Sequence, residues 1–184
     1  MALRIKSHWQ DETRDRSLPE VASALAFIAW RLALDQAINL HCERFVYASD
    51  AQRLLVIQEY LVFLLQTADR LAHGRLTDDD RRILMTALAK KVLEHVQDNS
   101  LDLLGAGDYG TPFIARLNAR SDEYAEFQWD NDEPSYALLR HLGFEIQTLM
   151  GVTPENRWVI DQVMDRDGWE AYKKFTRAFK ELFE

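Results

Sequence analysis

Glycine and proline are scarce in this chain, with 7 and 4 among 184 residues. Sandwiches and barrels use both at their many tight connections, so an all-β architecture is excluded first. The single cysteine, Cys42, cannot close an internal disulfide or build a multi-thiolate zinc site. Basic residues are outnumbered 22 to 30, a formal charge of −8, which argues against a general nucleic-acid binder. Long apolar runs are also missing. Val21–Trp30 is broken only by Ser23 but meets Arg31, well short of the roughly 20 residues that cross a bilayer. The first 16 residues carry no apolar centre of an export signal and read as an extended arm. The expectation is a cytoplasmic protein of one domain over residues 1–184, with no membrane and no nucleic acid among its partners.

What is present is helical punctuation. Ser17-Leu18-Pro19-Glu20 has the reciprocal capping box with Pro in the first turn, and Ser49 with Gln52 repeats it. Thr77 precedes three aspartates that face the positive end of a helix dipole. Thr111-Pro112 and Thr153-Pro154 give further starts, while Gly74, Gly151 and Gly168 stand where C-terminal caps belong. These signals predict helices over 18–44, 50–73, 78–98, 112–119, 133–150, 154–167 and 169–183, with no strand. The fold class is all-α: a single-domain bundle of six or seven helices around two long central ones.

At 100° per residue the first helix gathers Ala22, Ala26, Ala29, Ala33 and Ala37 on one stripe and Phe27, Trp30, Leu34 and Ile38 opposite. Arg31 and Asp35, i,i+4 in this apolar stretch, read as a partly buried ion pair. The second helix is apolar nearly all round, since Leu55 and Val62 interrupt even its polar side. Such a helix is covered by its neighbours or by a second subunit. A homodimer through Leu55 and Val62 is the expectation drawn from it.

Chemical motifs are few. Gly105-Ala106-Gly107-Asp108-Tyr109-Gly110 spells a dinucleotide fingerprint, but the loop follows a helix and not a strand, so it reads as an elbow. Asp69/His73, His95/Asp98 and His141/Glu145 share helix faces and make His73, His95, His141 and Glu145 weak metal candidates, without the ligand spacing of a recognised site. No cofactor and no catalytic set is expected. The most unusual stretch is Ser121–Glu133: six acids, no base, and Tyr124, Phe127 and Trp129 threaded among them. Either the rings dock on the bundle or, with Asp122, Glu123 and Glu126, they form a patch for a basic protein partner. In the C-terminal helix Trp169, Tyr172, Phe175, Phe179 and Phe183 form an aromatic face that should close the bundle. Its basic edge of Lys173, Lys174, Arg177 and Lys180 could lie beside the acidic connection at 120–132. The functional expectation is a small protein-interaction module, adaptor or chaperone-like, using the acidic–aromatic surface. The alternative is a ligand- or metal-dependent helical enzyme whose histidines and carboxylates converge in a bundle cavity.

Overall fold

The computed structural model describes residues 16–183, so the arm expected over 1–16 lies, but for Arg16, outside the described residues. The chain is an all-α bundle: α1 (Leu18–Cys42), α2 (Asp50–Ala72), α3 (Asp78–Leu104), α4 (Gly110–Ala125), α5 (Tyr136–Met150), the short α6 (Val159–Gln162) and α7 (Gly168–Phe183). The capping box of Ser17 and Glu20 is formed, and the Ser49 and Thr77 side chains accept the backbone N–H groups of Gln52 and Asp80. Gly74 and Gly151 take φ of 78° and 81°, the left-handed conformation that a side chain disfavours.

Several boundaries differ from the sequence reading, each for a local reason. α3 continues to Leu104 because nothing before Gly105 breaks it. The Gly105–Gly110 loop then works as an elbow: Gln97 clamps it by donating to the Gly107 carbonyl and accepting from the Tyr109 N–H. Asp108 accepts from the Thr111 N–H at 3.0 Å, so its carboxylate caps α4 at the place where a nucleotide phosphate would have been repelled. α4 runs on through Ala125, making the start of the expected 120–132 connection helical. Thr153-Pro154 opens a turn and not a helix. Gly168 is no cap: a π-helical turn over Val163–Asp167 joins α6 to α7, and the Gly168 N–H donates to the Val163 carbonyl five residues back.

The remaining connection holds the strand pair that the sequence reading missed, β1 (Trp129–Asp130) antiparallel to β2 (Glu133–Pro134). Asn131 and Asp132 both have positive φ, 54° and 69°, the two-residue turn whose twist suits a hairpin. Two residues per strand were too few for an alternation to be visible.

α2 is the axis of the bundle, packed by α1, α3, α4, α5 and α7. Val62 is 0% exposed, so the chain's own helices cover that half of the strip assigned to a dimer contact, while Leu55 is half-buried. The small stripe of α1 is entirely buried. α5 comes so close to α6 that a Cβ on Gly143 would sit 2.9 Å from the Ile160 carbonyl oxygen. In α7, Tyr172, Phe175 and Phe179 are buried and close the core as expected. α1 is the one described helix long and apolar enough to cross a membrane, and half of that window is buried inside the bundle.

Candidate functional site

Where α2, α4 and α5 meet, one carboxylate sits wholly inside the bundle. Glu59, in the middle of α2, is 0% exposed and accepts from Arg116 Nη1 at 2.6 Å and from Arg120 Nε at 3.0 Å. Arg116 and Arg120 are one turn apart on α4, so both guanidinium groups reach the same partner. Arg120 continues the chain of contacts. Its Nη1 donates to Glu123 at 2.8 Å, and its Nη2 donates to Glu145 of α5. His141, one turn before Glu145, places Nε2 2.8 Å from Glu123. Three carboxylates thus face two guanidinium groups, −3 + 2 = −1 before His141 is counted.

Burial would raise the Glu123 carboxyl, but the His141 hydrogen bond and the Arg120 charge outweigh it and hold the group below its usual range. Tyr124 is driven the other way: burial, and then the Glu59 charge, push its phenol well above the ordinary value. Its hydroxyl and Arg116 Nε are buried without a hydrogen-bond partner.

Of the metal candidates, His141 and Glu145 converge, and Glu123 joins them with ligand atoms within 4.8 Å of one another. Arg120 bonds both of those carboxylates, so the cation they face is the chain's own guanidinium. His73 is exposed beside Arg81, at 3.4 Å from its Nη1. His95 lies tilted beside Trp30, with ring centroids 6.1 Å apart. Neither comes into this group. The geometry is that of a fastener between helices, in which each charged partner is costly to remove. Arg116 and Arg120 escaped the sequence reading because they sit 57 and 61 residues from Glu59. The sequence signal was an acid between Val56-Ile57 and the apolar run Tyr60–Leu65.

The acidic–aromatic residues divide. Tyr124 is 2% exposed and belongs to the core, whereas Glu123 is half-exposed and its carboxylate is taken up by Arg120 and His141. Phe127 and Trp129 pack against the core while keeping an exposed side: Phe127 lies 5.1 Å from the His141 ring and Trp129 6.5 Å from that of Tyr172. Asp122, Glu126 and Asp130 are exposed around them. Asp132 pairs with Arg70 of α2 at 3.3 Å, and Tyr172 donates to its carbonyl, which pins the hairpin to the bundle. Glu133 shares a shallow groove of about 440 Å³ with Lys173, Arg177 and Lys180. The basic edge of α7 does lie beside the hairpin, while the ion pair to Asp132 comes from α2. Neither a family model, nor a curated protein, nor a solved structure matches this chain.

Proposed function

We propose that the chain is a protein-interaction module whose acidic face receives a basic segment of a protein partner. The observation that supports this reading is the pair of rings, Phe127 and Trp129, each braced from below by His141 or Tyr172 and half-exposed among Asp122, Glu126 and Asp130. A braced ring loses little side-chain entropy on binding and can anchor an aliphatic stem, while the acids select a Lys- or Arg-rich sequence and speed the encounter. Tyr124 holds this face in place from beneath, and Glu123, half-exposed at its edge, is already paired with Arg120 and His141.

A fluorescent Lys/Arg-rich peptide is a direct probe. It should bind saturably, with an affinity that falls as salt rises. Trp129→Ala should speed release, and Asp122→Asn with Glu126→Gln should flatten the salt dependence. A Phe127→Ala/Trp129→Ala protein that keeps its helical circular dichroism and still binds fully would defeat the proposal.

A further inference from the structure

The outward face of α1 carries a pattern that the bundle does not use. Phe27, Arg31, Leu34 and Ile38 follow one another at four, three and four residues, and so lie on one stripe. Phe27 is 54% and Ile38 47% exposed, unusual for large apolar side chains spaced along one helix face. Leu34 continues the apolar surface into a groove of about 260 Å³ shared with Leu54, Ile57 and Leu103. Arg31 is exposed and Asp35 half-buried on the same side. The ion pair expected between them is not formed, and neither side chain has another ionic partner among the described residues.

These positions are arranged symmetrically. Residues 27 and 38, and residues 31 and 35, are centred within half a residue of each other, beside residue 33. If a second α1 crosses there in antiparallel fashion, Phe27 of each copy meets Ile38 of the other. Arg31 of each copy then meets Asp35 of the other, so both charges are answered twice by one two-fold axis. A self-complementary patch of this kind is what an isologous contact requires.

We propose that this face of α1 is a homodimer interface and that its occupant is a second copy of the chain. One helix-on-helix contact is at the small end of specific interfaces, so the dimer is a weak, concentration-dependent one.

Sedimentation velocity of the full chain from about 1 µM to about 1 mM should show a monomer–dimer equilibrium. Phe27→Asp should weaken it by about tenfold or more. Arg31→Asp sets two acids against each other at each of the two 31–35 contacts and Asp35→Arg two bases, so each variant alone should be largely monomeric. An equimolar mixture of the two should dimerise again, because acids then face bases at both crossings. Circular dichroism of each variant confirms that it is folded. A monomer throughout the concentration range overturns the proposal. So does a dimer indifferent to Phe27→Asp, or a mixture of the two folded charge variants that fails to recover.

Discussion

Among the described residues two carboxylates, Glu59 and Asp167, are 0% exposed, and their surroundings could hardly differ more. Glu59 accepts hydrogen bonds from two guanidinium groups. Asp167, in the π-helical turn before α7, has only the Gln162 amide on Oδ1 at 3.0 Å, and its Oδ2 is buried with no partner. Burial therefore dominates at Asp167 and pushes its carboxyl up to about 6, even though Gln162 and Arg166 pull it down. A buried charge is tolerated in the bundle when ions answer it. Where an amide is the only hydrogen-bond partner and the nearest cation is tied elsewhere, as Arg166 is to Glu43, the group moves toward its neutral form.

The sharpest way to break this comparison is Glu59→Ala. It leaves Arg116 without a counter-ion and Arg120 with only Glu123 and Glu145. A loss of about 3–5 kcal/mol in denaturant unfolding is expected. A loss below 1 kcal/mol would mean that the arginines find other partners and that α2 is not fastened through this acid.

Asp167→Asn tests the other half, with the opposite sign. Because the folded-state pKa lies above the ordinary 3.8, the folded protein holds this proton more tightly than the unfolded chain. The stability that comes with the proton is full below about pH 4, declines as pH rises toward 6, and is gone above it. Asn mimics the protonated acid, so the variant should be more stable than the parent by about 2 kcal/mol at pH 7–8, allowing for solvent screening, and equal to it near pH 4. A destabilised variant at pH 8 would show that the ionised Asp167 has a cation to answer it.

The smallest effect belongs to pairing without burial. Lys174 and Glu170 meet at 2.6 Å on α7 with side chains half-exposed. Lys174→Ala should shift stability by no more than about 0.5 kcal/mol, and raised salt should shrink even that. An effect comparable to that of Glu59→Ala would overturn the distinction between the two settings.

The same contrast explains what could be read in the sequence. The caps at Ser17, Ser49 and Thr77, the buried alanine stripe and the aromatic face of α7 are local patterns, fixed within a few turns, and each is present in the fold. The 129–134 hairpin was too short for a strand period, and only its two-residue Asn131-Asp132 turn could have marked it. The ionic network was illegible because its members come from three helices and meet only after α4 has folded back on α2. For the same reason Val62 was offered to a second subunit: periodicity tells that a helix is covered, not by what. Tyr124 stands beside Glu123, Phe127 and Trp129 in sequence, yet it alone of the four is buried, because the turn of α4 points it into the core.

Asn156 joins parts of the chain that are far apart in sequence. Its side chain, 2% exposed, accepts from the Val46 N–H, donates to the Val46 carbonyl and also donates to that of Met150. One amide thus serves the α1–α2 connection as a neighbouring strand would, from 110 residues away. Neither connection can swing out without stranding polar atoms of the other, so the two loops open as one cooperative unit. The Val46 N–H, in a segment with no secondary structure and a half-exposed side chain, would then exchange with solvent deuterium at the pace of the α5–α6 connection and not at that of a free loop.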